Sequence, residues 1–169
     1  HNSQCIIEDK ILLGFFQNWL WIVNYELWIV KGCLFMSDID HKNLMKIALE
    51  YRERAYVPYS KFKVGAAVLF ESGKIYGGCN VENASFGATN CAERTAIFKG
   101  VSEGETKIKA IAEVGSLEEI TYPCGICRQV LCEFGDEDMV VILGKSEDDY
   151  IVTDIKSLMP GAFRKENIR

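Results

Sequence analysis

Two cysteine-bearing segments constrain this chain most: Cys91-Ala92-Glu93 and, further along, Pro123-Cys124-Gly125-Ile126-Cys127. A C-x-x-C pair at a helix start sets two thiolates side by side, and the helix N-terminus favours their ionised form. Cys91 opens another helical pattern and can supply a third thiolate. A common ion would then draw the two helix starts together. Three protein ligands leave a fourth zinc position for water, as catalytic rather than closed structural sites require. Glu93 follows Cys91 too closely to be a natural fourth ligand. It is placed instead to touch metal-bound water, whose pKa falls towards about 7 and whose proton a carboxylate can take. The only histidines, His1 and His41, lie away from the pattern. Taken singly, the parts stay ambiguous. C-x-x-C alone also suits a redox pair or half of a zinc ribbon, Cys91 alone a buried small residue, and Glu93 alone a solvated helix position. Cys5, Cys33, Cys79 and Cys132 have no metal-like spacing and read as small apolar residues.

The chain has 169 residues, enough for one domain with a real core. Its net charge of −5 argues against a partner bound by phosphate neutralisation, and so against nucleic acid. Seven cysteines without an evident signal peptide point to a cytoplasmic chain whose thiols bind metal rather than pair. The first 35 residues differ from the rest: Ile11 to Phe35 is strongly apolar and contains all three tryptophans, Trp19, Trp21 and Trp28. Its uncharged stretch, Ile11 to Tyr25, is interrupted by Gln17, Asn18 and Asn24. It falls short of the roughly 18–20 apolar residues of a membrane span, so no membrane partner is expected. Residues 1–35 are assigned as an apolar extension outside the functional domain, possible translated upstream sequence, and residues 36–169 as the domain, with Met36 as its natural start.

Within that domain, periodicity predicts a helix from Ser37 to Tyr56, capped by Ser37 or Asp38 and stopped by Pro58. Strands are expected over Phe62–Phe70 and Ile75–Cys79, joined by a turn at Glu71–Lys74 and followed by a polar loop to Asn90. A helix follows over Cys91–Lys99, ended by Gly100, then a strand over Ile108–Val114. A helix from about Cys124 to Phe134, strands over Met139–Leu143 and Tyr150–Val152, and a short helix before Pro160 complete the pattern. Interleaved strands and helices predict an α/β fold with a sheet covered on both faces.

Four motifs then occur in order: Tyr59-Ser60-Lys61-Phe62-Lys63-Val64-Gly65-Ala66-Ala67, Gly78-Cys79-Asn80-Val81-Glu82-Asn83-Ala84-Ser85-Phe86-Gly87, Cys91-Ala92-Glu93-Arg94-Thr95-Ala96, and Pro123-Cys124-Gly125-Ile126-Cys127-Arg128-Gln129. Together they closely resemble the small homotetrameric zinc-dependent cytidine deaminases, from Met36 to about Phe163 and not over residues 1–35. The C-x-E…P-C-x-x-C core is the cysteine form of the zinc nucleobase deaminase pattern. The resemblance implies a three-layer α/β/α sandwich with a mixed five-stranded sheet. It implies one Zn²⁺ per subunit on Cys91, Cys124 and Cys127, with Glu93 as proton shuttle. It places Phe62 near the nucleoside, Asn80 and Glu82 on the ribose hydroxyls, the Ala92 N–H opposite the pyrimidine carbonyl, and Arg94 on the thiolates. Phe163, in Pro160-Gly161-Ala162-Phe163, would reach a neighbouring subunit's site, so that active sites are shared within the tetramer. Phe86 stands where relatives commonly carry Tyr, which removes one possible hydrogen bond at the subunit contact and leaves the chemistry intact.

Each of these residues also has a plainer reading: Phe62 as strand core, Asn80 and Glu82 as turn and surface residues, Arg94 as a solvated helix residue, Phe163 as an incidental tail aromatic. The activity implied is hydrolysis of a cyclic amidine C–N bond: cytidine and deoxycytidine to uridine and deoxyuridine plus ammonia, in pyrimidine salvage, without an organic cofactor. The Asn80/Glu82 pair favours a nucleoside over another aminated heterocycle. A short acidic domain without an evident basic or aromatic track argues against a polynucleotide editor. A structural zinc protein would need a closed site and no role for Glu93.

Overall fold

The structure, a computed structural model, describes residues 39–168. The assigned extension, residues 1–35, and the proposed caps Ser37 and Asp38 lie outside these residues. The elements run α1 (His41–Arg52), β1 (Gly65–Phe70), β2 (Ile75–Cys79), α2 (Ala92–Ser102), β3 (Ile108–Val114), α3 (Gly125–Phe134), β4 (Gly135–Gly144), β5 (Tyr150–Asp154) and α4 (Ile155–Leu158). Single 3-10 turns lie at Phe86–Ala88 and Lys165–Asn167. No helix among the described residues is long and apolar enough to cross a membrane.

The five strands form one sheet in the order β2-β1-β3-β4-β5. β3 and β4 are parallel, joined through α3; the other neighbours are antiparallel, so the sheet is mixed. Alternation along β1 splits the core in two. Ala66, Val68 and Phe70 face Ala92, Ala96 and Ile97 of α2 and Leu131 of α3. On the opposite face α1 packs so closely that a Cβ on Gly65 would collide with the Ala48 carbonyl and the Arg52 backbone. Gly78 admits α2 in the same way, against Ala92 and Ala96. The α/β/α sandwich with its mixed five-stranded sheet is therefore as expected.

Several boundaries differ from the expectation. α1 is capped by Asp40, whose carboxylate accepts from the Asn43 N–H at 2.9 Å, and it ends at Arg52 rather than Tyr56. Tyr56 leaves the helix to bridge Val81. β1 starts at Gly65, not Phe62, because the Asn80 side chain replaces a strand partner: it accepts from Val64 N at 2.8 Å and donates to the Phe62 carbonyl at 2.8 Å. α2 continues through Gly100 to Ser102. Its stop is Gly104, at φ +96, where the Gly104 N–H bonds to the Val101 carbonyl and Glu105 N–H to that of Gly100. That is a Schellman closure. β4 begins at Gly135, four residues before Met139, directly at the end of α3.

Candidate metal centre and active site

Cys91 and Cys124 occupy the N-cap positions of α2 and α3, where Ser, Thr, Asp or Asn usually accept from the first turn. Neither thiol does so. They turn to each other instead, with sulfurs 3.9 Å apart. Cys127, in the first turn of α3 and fully buried, completes the group, and all three Sγ atoms lie within 4.8 Å of one another. Among the described residues no fourth His, Cys, Asp or Glu joins them. Two helix N-termini thus converge on three soft donors, an arrangement that favours thiolate and suits zinc.

The electrostatics agree. A hydrogen bond from Cys127 pulls the Cys91 pKa down to about 5 against burial, with Arg94 helping. The same bond, together with burial, raises Cys127. The pair therefore shares a proton that a dication would displace. Arg94 Nη2 lies 3.5 Å from Cys91 Sγ and 3.4 Å from the Thr89 carbonyl, while its Nε is buried with no partner. An orphaned guanidinium N–H beside three thiols fits a cluster designed to carry negative sulfur charge, and three thiolates on Zn²⁺ leave a formal charge of −1. The residues present therefore fit a zinc ion. Glu93, in the first turn of α2, is 2% exposed, and burial raises its proton affinity above that of an ordinary carboxylate. Ala92 beside it is buried.

A second group lies alongside. Antiparallel bridging of Val81 to Asn90 runs the Asn80–Glu82 segment next to the residue that precedes Cys91. Glu82 accepts from the backbone N–H groups of Tyr59 at 2.9 Å and Ser60 at 3.2 Å. Contacts to Ser60, then to the Tyr59 amide, hold its pKa below the usual carboxylate range. Asn80 and Glu82 thus brace the Tyr59–Phe62 corner, which turns through Lys61 at φ +59 and leaves Phe62 45% exposed. Phe86 is 76% exposed and meets Tyr59 edge to face at 5.9 Å; both line an apolar recess with Ser60, Glu82 and Thr89. A larger recess lined by Asp136, Lys156 and Arg164 holds none of the expected site residues. Phe163 is 60% exposed, its carbonyl accepting from Gln129 of α3 at 2.8 Å.

The family described as cytidine and deoxycytidylate deaminase zinc-binding region matches residues 38–143. The chain belongs to that family. A cytidine deaminase of Sporosarcina psychrophila is 50% identical over 130 residues, which cover 77% of this chain and 96% of the relative. A second cytidine deaminase, of Halalkalibacterium halodurans, is 48% identical over 77% of this chain and 98% of its own length. The crystal structure of cytidine deaminase from Burkholderia pseudomallei superposes with a TM-score of 0.69 at 47% identity, covering 73% of this chain and 98% of that one. As a member of this family the chain is a zinc-dependent hydrolytic deaminase.

Three residues of the site carried no expectation from the sequence. Glu113 is 3% exposed on β3, paired with Ala66 and Leu143 on the face covered by α2 and α3. Its only sequence signal is a charge inside an apolar strand. Arg128 and Gln129 were visible in the Pro123–Gln129 motif, but nothing in spacing discloses the distant carbonyls they bind.

Proposed function

We propose that this deaminase hydrolyses cytidine and deoxycytidine to uridine and deoxyuridine with release of ammonia, serving pyrimidine salvage in the cytoplasm. One observation carries the reading: the buried Glu93 carboxyl lies two residues after Cys91, a member of the three-thiol group, and the Asn80–Glu82 segment is bridged to the neighbouring Asn90.

Cys91, Cys124 and Cys127 would hold the ion, and Arg94, which donates to Cys91, would temper sulfur charge. When bound, zinc supplies a water whose pKa is lowered towards about 7. Glu93 would hold a proton of that water at its carboxyl and deliver it to N3 of the pyrimidine, making C4 electrophilic. Glu93 would then carry the water's other proton to the exocyclic nitrogen, so that the C4–N bond breaks with loss of ammonia and the water oxygen takes its place on C4. Burial suits Glu93 to this task, because a raised proton affinity helps one carboxyl both accept and return a proton. The Ala92 N–H meets the pyrimidine carbonyl, Phe62 packs on the nucleoside, and the Asn80 and Glu82 oxygens receive ribose hydroxyls. Exposure of Phe62, Phe86 and Phe163 supports a homotetramer in which Phe86 lies at a subunit contact and Phe163 enters a neighbour's site.

The test follows absorbance as cytidine is converted by purified protein. Glu93→Gln is expected to keep zinc and fold while losing at least about 10²–10⁴-fold in turnover. Zinc-loaded, folded wild type that leaves cytidine intact would reject this substrate.

A further inference from the structure

The metal group is only as rigid as the turn that presents Cys124. Cys124, Gly125 and Ile126 are all exposed, and the Cys124 side chain makes no capping bond. Arg128, one helical turn onward, ties this turn down. Its Nε donates to the Pro123 carbonyl at 2.7 Å, and its Nη1 donates to the Leu158 carbonyl at 2.8 Å. One guanidinium therefore joins the residue before Cys124 to the last residue of α4. The chain beyond α4 stays on α3: Gln129 Nε2 donates to the Phe163 carbonyl at 2.8 Å. Arg164 Nη1 then donates to the Cys132 and Gly135 carbonyls, at 3.1 and 3.2 Å, at the far end of the helix. The C-terminal segment is strapped along the helix that carries two of the three thiols.

We propose that Arg128 is a positioning residue of the metal centre, holding the Pro123–Cys124 turn and the C-terminal segment as one body, so that loosening the segment loosens Cys124 and lets metal leave. The planar guanidinium fork can meet carbonyls from two segments at once, whereas the lysine ammonium is a point charge suited to one. The inference concerns metal retention and is independent of which nucleoside is turned over.

The experiment compares zinc-loaded full-length wild type, Arg128→Gln and Arg128→Lys. Zinc transfer to an excess of chromogenic chelator gives the release rate, and hydrogen exchange is followed in peptides covering Leu158–Phe163 and β3. Removing a group that orients metal ligands typically costs 10–100-fold in metal affinity. Arg128→Gln is therefore expected to release zinc about 10–100 times faster, with faster exchange over Leu158–Phe163 and unchanged protection in β3. Arg128→Lys should fall between. Faster exchange in the strap with wild-type zinc release, or faster release with an unchanged strap, overturns the coupling. Equal loss of protection in β3 overturns it too, since Arg128 would then act on global stability. If Arg128→Gln does not fold, wild-type zinc release from Arg128→Lys is enough to reject the proposal.

Discussion

Glu113 and Glu93 are both buried carboxyls, Glu113 on β3 and Glu93 in the first turn of α2, and only Glu93 lies two residues from a thiol of the metal group. Glu113 is held on a strand face, and its proton affinity is raised well above the ordinary carboxylate value, first by burial and then by the charge of Glu93. The folded protein therefore binds a proton here that the unfolded chain has released above about pH 4.3. Its contribution to stability is complete below that pH and is lost as pH rises through the folded value. Glu113→Gln, neutral throughout, is expected to melt above wild type by a margin that widens from pH 5 to pH 8 at equal zinc content. Each kcal/mol reads as about 2–4 °C for a chain of this length. A margin constant with pH would show that Glu113 titrates in the folded protein as it does in the unfolded chain. The Cys91–Glu93 and Cys124–Cys127 spacings were legible in the sequence because each lies within one helical turn. Glu113 was not, because its neighbours Ala66 and Leu143 come from other strands.

At the scale of elements, α2 shows how a correct signal can mark the wrong residue. Gly100 carries the composition of a helix stop, but it is buried within the last turn of α2, where a Cβ would strike the Phe70 and Tyr76 rings. Gly104 is the residue at positive φ. The two glycines have different jobs, close packing and chain reversal. Gly100→Ala is expected to cost about 1–3 kcal/mol through overpacking. Gly104→Ala should cost about 1–2 kcal/mol through its left-handed backbone, with no atom within 4 Å of the added methyl. Urea midpoints measure both; a silent Gly100→Ala would contradict the packing. The same lesson explains β1. Hydrophobic alternation extends back to Phe62, but the Asn80 amide takes the backbone groups of Phe62 and Val64 and converts the first residues into a corner.

For the whole molecule, the residues that make the family match and the fold are the same ones. The cytidine deaminase that is 50% identical over 130 residues aligns over 96% of its own length. A chain starting at Met36 is expected to keep zinc and turnover, read by metal content and cytidine conversion. Loss of folding in that shortened chain would move the domain boundary towards residue 1. The strap from α3 to the tail belongs to this scale as well, since it links Cys124 to a segment more than thirty residues later.

The sequence by itself determined the chemistry that lies along short stretches of chain: three thiols at two helix starts, a carboxyl two residues from one of them, and strands alternating with helices. Helical periodicity and N-terminal dipoles act locally, so residue spacing alone conveys them. Only the tertiary structure decided which of two glycines ends α2, that Asn80 and Glu82 brace the Tyr59–Phe62 corner, that Glu113 lies buried between Ala66 and Leu143 in the sheet, and that Arg128 ties Pro123 to Leu158. Each of these depends on a partner brought close by chain folding, and no spacing in the sequence encodes which partner that will be.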